Sequence, residues 1–152
     1  MRWSLKLTLC IPNRISWAML LVAAYAPTFA QPAPASRFDG DWVGNIDCPS
    51  NTEESGARGY RSRFPAMVKD GVFAASIGSD NSPGSLHIEG PIRPDGSAEL
   101  RARGRTGNLE YALEQPSSGT PNSYRVKAQF DGDKGTGSRI EARACNFVFA
   151  KK

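Results

Sequence analysis

From Phe38 to Lys152, apolar and polar residues alternate in short segments separated by clusters of Gly, Pro, Asn and Asp. No stretch of about ten residues sustains the 3.6-residue period of an amphipathic helix, so the pattern is that of β-strands throughout. Eight strands are predicted, at 40–48, 59–69, 72–78, 85–92, 97–104, 109–115, 123–130 and 137–150. Lys69-Asp70-Gly71 and Pro94-Asp95-Gly96 read as tight hairpin turns, because glycine supplies the positive φ that such turns require. The connections at 49–58, 79–84 and 131–136 are longer, and in a meander all three fall at one end. Gln115 to Asn122 breaks this asymmetry, as a long connection at the opposite end. The expectation is a cup with an open mouth and a closed base.

Ahead of this domain the pattern changes. Arg2, Lys6 and Arg14 precede an apolar run from Ile15 to Ala26, which is followed by Thr28-Phe29-Ala30. A basic segment, a short apolar core and a small residue at the cut make residues 1–30 a secretory signal peptide. The run is too short for a membrane span, which takes roughly 20 residues. Cys10 precedes the apolar run and follows Leu9, which does not suit a lipoprotein cleavage site, so no membrane anchor is expected after cleavage. Residues 31–37 form a Pro/Ala-rich linker. Residues 38–152 form one domain, expected to be periplasmic or secreted and monomeric.

Export changes the charge and cysteine arithmetic. Three of the 19 basic residues and none of the 15 acidic ones lie in residues 1–30, so the formal charge of +4 falls to +1 in residues 31–152. General attraction to nucleic acid or to an anionic membrane loses its support, and no nucleic-acid partner is expected. With Cys10 removed, Cys48 and Cys145 remain, an even pair in an oxidising compartment, and a disulfide between them is expected. A bond between the first and last strands requires them to be neighbours. The fold class that follows is all-β, a single antiparallel eight-stranded up-and-down β-barrel closed by one disulfide, which also removes both sheet edges. A β-sandwich is the alternative, since a disulfide also bridges packed sheets.

Strand parity assigns an interior of Trp42, Ile46 and Cys48, of Tyr60, Phe64, Ala66 and Val68, and of Cys145, Phe147 and Phe149. Ala74, Ala98, Ala102, Ala112 and Ala128, among Leu100, Val126 and Phe130, complete it. So many small residues either leave room for a ligand or suit a narrow barrel filled by its own side chains. The filled interior is the expectation adopted.

Gly40-Asp41-Trp42 resembles the G-x-W signature of the calycin barrels, the lipocalin and avidin group. That resemblance implies a Trp packed across the closed base and capped by a basic residue from the last strand. If Cys48 lies opposite Cys145, paired positions sum to 193 and Trp42 faces Lys151, whereas Arg143 falls near Ser50, about 26 Å away at 3.3 Å per residue. Lys151 is therefore the expected partner of Trp42 at the base. The layout is also similar to small periplasmic inhibitor barrels of Gram-negative bacteria, which oppose proteases or lysozyme. Ser55-Gly56-Ala57-Arg58 is similar to the Ser-Gly motif of the lysozyme-inhibitor group but precedes strand two, whereas that group places it later.

Candidate chemistry is sparse. There is no G-x-S-x-G, no phosphate-binding glycine loop and no CxxC, and His87 is the only histidine. Asp131-Gly132-Asp133-Lys134-Gly135 resembles a calcium loop, but Gly135 and Ala142 occupy the fifth and twelfth positions, where ligands are needed, so a hairpin turn is read. No catalytic residue, cofactor or metal is assigned, and binding rather than catalysis is expected. Tyr60, His87 and Arg105 are candidates at the rim for a small apolar or amphipathic molecule. Arg101, Arg103 and Arg105 alternate along strand five, either as a solvated stripe or as a face for an extracytoplasmic protein, with Arg58, Arg61 and Arg63 as a second patch.

Overall fold

The computed structural model describes residues 36–51, 56–113 and 116–152. The expected signal peptide, most of the linker, Ser55 of the Ser-Gly motif and the end of the 109–115 segment lie outside the described residues. Eight antiparallel strands close into a barrel in sequence order: β1 Gly40–Cys48, β2 Tyr60–Lys69, β3 Val72–Ile77, β4 Leu86–Pro91, β5 Ser97–Arg105, β6 Pro121–Asp131, β7 Lys134–Arg139 and β8 Asn146–Lys151. Closure occurs between β1 and β8, where Trp42 pairs with Lys151 and Asp47 with Asn146, the register expected from the cysteines. Cys48 and Cys145 are bonded.

Two strands differ from the expected list. The 109–115 segment is no strand: Leu109–Tyr111 form a short 3-10 turn, started by Asn108, whose side chain accepts from the Glu110 amide. The 137–150 segment is two strands, β7 and β8, separated at 140–145, where Ala142 has φ 57°. Cys145 therefore sits just before β8 rather than within it. The 131–136 segment, expected as a long mouth loop, is the two-residue turn Gly132-Asp133 and the start of β7, and it lies at the base. The long connection at the base disappears too, because 106–120 joins β5 to β6 at the mouth. All four long connections (49–59, 78–85, 106–120 and 140–145) thus share one end, and 70–71, 92–96 and 132–133 close the other.

The base is packed by rings. Trp42, Phe38, Phe64, Phe73, Phe130, Phe147 and Phe149 are all fully buried. Phe130 meets Trp42 edge-on at 5.4 Å and stacks on Phe149 at 5.2 Å, while Phe73 meets Phe149 at 5.1 Å. Rings of this size fit because glycine takes the positions between them. Gly135 pairs with Phe130 on one side and Phe149 on the other, and a Cβ there would lie 2.8 Å from the Phe130 ring. Gly44 pairs with Phe64 and Phe149, and its Cβ would lie 2.2 Å from the Phe64 ring.

Residues 36–39 fold across the base as a plug. The Trp42 indole donates to the Phe38 carbonyl at 2.9 Å, and the Asp39 carboxylate accepts from the Asp70 and Gly71 amides of the β2–β3 turn. The Lys151 stem lies against Gly40, and its ammonium reaches the Arg37 carbonyl at 3.5 Å. Ala74 is exposed, because Phe73 and Ala75 take the inward positions of β3; Ala112 is half-buried in the mouth loop after the 3-10 turn.

Candidate functional site: the mouth cavity

Above the ring stack the interior is not filled. A cavity of about 460 Å3 lies beneath the mouth loops, with Ile46, Ile77, Leu86, Tyr60 and Tyr124 in its wall. The expected filled barrel therefore holds for the lower half only. Inward parity brings these residues together: Ile46 follows Trp42 and Gly44 on β1, and Tyr124 precedes Val126, Ala128 and Phe130 on β6. The roof is the 106–120 loop with its 3-10 turn, joined to the first mouth loop by the Arg58 amide donating to the Glu110 carbonyl at 2.7 Å.

Arg143 anchors this roof. It is 4% exposed, and its guanidinium donates to the carbonyls of Cys48, Pro49, Arg58 and Tyr111, with no carboxylate partner among the described residues. Its planar fork reaches several acceptors at once, as a lysine ammonium does not. The same group lies 5.5 Å from the Tyr60 ring centroid. Arg143 is set far from Trp42, as the register requires, and beside Pro49.

Arg139, the last residue of β7, also lines the cavity, its guanidinium carbon 4.1 Å from the Tyr124 ring centroid. Its Nε is buried and has no hydrogen-bond partner among the described residues. Arg105 contributes a third cation but is committed to the Gly119 carbonyl at 2.9 Å. No Asp or Glu stands among the described residues lining the cavity. Burial pushes the Tyr60 phenol upward against the opposing pull of Arg139 and Arg143, and burial does the same to Tyr124, so both enter neutral chemistry as un-ionised donors.

The other candidates lie outside the cavity. His87 faces outward from β4; its ring nitrogens contact Ser76 Oγ at 3.0 Å and Asp80 Oδ1 at 2.9 Å. This Ser-His-Asp chain has the connectivity of a charge-relay site, but the Asp80 side chain is 80% exposed, so water competes for the carboxylate that would have to orient the imidazole. What it does is fasten the 78–85 connection to β3 and β4. Arg103 pairs with Glu89, and Arg125, opposite Arg101, pairs with both Glu99 and Glu141. In the second patch Arg61 pairs with Asp47 and Arg58 with Glu110. Arg101 and Arg63 are exposed on the outer face.

Tyr60 and Arg105 are thus the two rim candidates that the fold brings to the cavity, while Tyr124 and Arg139 were not singled out from sequence and Arg143 was weighed only as a partner for Trp42. Parity carried a signal for all three, since Arg139 and Arg143 share the parity of Cys145 and Phe147 within the 137–150 segment, and Tyr124 shares its face with Val126. Arg139 lies at the start of the 137–150 segment, whose division into β7 and β8 was not read from the sequence. Comparison with known proteins finds no match to this chain among family models, curated proteins or solved structures.

Proposed function

We propose that this barrel is an exported binding protein that holds a small molecule in its mouth cavity. The observation that carries the reading is the cavity itself. Its volume of about 460 Å3 lies within the roughly 300–1,000 Å3 range of small-molecule sites, and its wall combines apolar side chains with a few convergent polar groups. The calycin-like reading of the Gly40-Asp41-Trp42 segment belongs with this proposal: a ring-packed base and an open mouth suit a carrier. The Cys48–Cys145 bond fits an oxidising compartment, and a periplasmic or secreted location is proposed with it. The protein-docking alternative draws less support, because carboxylates pair with Arg103 on one outer patch and with Arg58 and Arg61 on the other.

The test starts from the full gene expressed with its own N-terminus in a Gram-negative host, followed by native mass spectrometry of the osmotically released protein. The expected species starts at Gln31, is two hydrogens light and carries a small adduct. Titration with the neutral fluorophore N-phenyl-1-naphthylamine should then show one saturable site, weakened by Ile46→Glu at the cavity floor. Absence of both adduct and saturable dye binding refutes the carrier reading.

A further inference from the structure

The mouth cavity is unevenly supplied with charge. Three guanidiniums line it, no carboxylate does so among the described residues, and the three cations differ in what they are already doing. Arg143 donates to four backbone carbonyls, and Arg105 is tied by one of its nitrogens to the Gly119 carbonyl. Arg139 has no side-chain hydrogen bond to any described residue, and its one positional constraint is the face of Tyr124. The buried Nε is costly for stability alone, because a buried donor without an acceptor loses its water and gains nothing in return, while the half-buried side chain leaves the rest of the fork accessible from the cavity. The same arrangement is preorganised for an anion, since a seat over the Tyr124 ring restrains the guanidinium without using its N–H groups. Tyr60 and Tyr124 stand beside it as neutral phenols able to donate to the same oxygens.

Resting on the carrier reading above, we propose that the ligand is an amphipathic organic anion, its head group held by Arg139 and its apolar body lying against Ile46, Ile77 and Leu86. The head group is an oxyanion, either carboxylate or sulfate ester, and the two are separated by experiment.

The test uses the oxidised protein from Gln31 to Lys152 and three probes that share one tail: octanoate, octyl sulfate and octanol, each displacing N-phenyl-1-naphthylamine. Octanoate, octyl sulfate or both are expected to bind about tenfold or more tighter than octanol, the gain of one charge-assisted contact. Arg139→Met should bring that ratio close to one, whereas Lys127→Met, which removes one positive charge from the outer face, should leave it unchanged. Near-ultraviolet circular dichroism checks that each variant is folded, and Arg139→Lys, which restores a point charge, should recover part of the preference. A preference for octanoate alone identifies a carboxylate site, and equal preference for both anions a general oxyanion site. If octanol matches the anions while the dye still binds, the anion inference fails and the carrier reading stands. If the dye does not bind, the carrier reading fails and takes the inference with it. An anion preference that survives Arg139→Met overturns the assignment to Arg139.

Discussion

Replacing Arg143 by Met keeps the unbranched stem and removes the guanidinium. Four carbonyls then lose their donor: those of Cys48, Pro49, Arg58 and Tyr111. Hydrogen bonds from a charged donor are worth about 1.5–3 kcal/mol each, so simple addition would give at least 6 kcal/mol. That sum overshoots for two reasons. The wild type bears the cost of burying an unpaired cation, which the substitution relieves, and the carbonyls of Pro49 and Tyr111 lie on mouth loops that water can reach once the side chain is gone. Two carbonyls left poorly satisfied, at about 1.5 kcal/mol each, give an expected loss of about 3 kcal/mol. With a urea dependence of about 1.5 kcal/mol per molar, the unfolding midpoint should fall by about 2 M. Arg143→Lys should recover less than half of the loss, because one ammonium cannot serve acceptors spread around a planar fork. Amide hydrogen exchange should rise first at Arg58 and Ala112, whose segments the guanidinium ties together. A midpoint within about 0.3 M of wild type for Arg143→Met would show that the carbonyls find other partners, and the anchoring role would be withdrawn.

Three further outcomes follow from the packing. Gly44→Ala places a Cβ about 2.2 Å from the Phe64 ring and should cost about 3 kcal/mol in urea unfolding; Phe64→Leu should relieve it, so that the double variant is at least 1 kcal/mol more stable than additivity predicts, and strict additivity would contradict the clash. Replacing Cys48 and Cys145 with Ser, 97 positions apart, should lower stability by about 4.7 kcal/mol on the chain-entropy model, read as a urea midpoint, and an unchanged midpoint would count against closure through this bond. The hydrogen bond from the Gly71 amide, then those from Ser36 and Asp70, hold the Asp39 carboxyl below its ordinary value of 3.8. The stability it contributes is therefore present above that value and is lost as pH falls through the lower folded-state value. Thermal melts between pH 7 and pH 2 should show Asp39→Asn less acid-dependent than wild type, and parallel curves would refute the role given to the Asp39 carboxylate at the base.

Where side chains fill the barrel, parity and register were readable from sequence. The sum of 193 that placed Trp42 opposite Lys151 holds across the whole β1–β8 pairing, and the inward faces of β1, β2 and β8 follow their alternation without exception. The failures share one physical origin, an interior built by omission. β7 reads Lys-Gly-Thr-Gly-Ser-Arg, and its two inward glycines have low strand propensity and no apolar signal. They are nonetheless required there, because the Phe130 and Phe149 rings meet over one and Val126 and Ala128 crowd the other. Conversely, Leu109 to Leu113 alternates well enough to suggest a strand, yet it lies across the mouth, where contacts remote in sequence decide its shape: Arg143 to the Tyr111 carbonyl and Arg58 to that of Glu110. Exchanging a strand for a turn at one place and splitting a strand at another kept the count at eight but reversed which end the 106–120 connection occupies. The cavity depends on that end. Arg139 shares the odd parity of Cys145 and Phe147, but its place in the cavity wall at the end of β7 follows only once β7 is a strand of its own, and that strand was hidden by the same glycines that let the rings close the base below it.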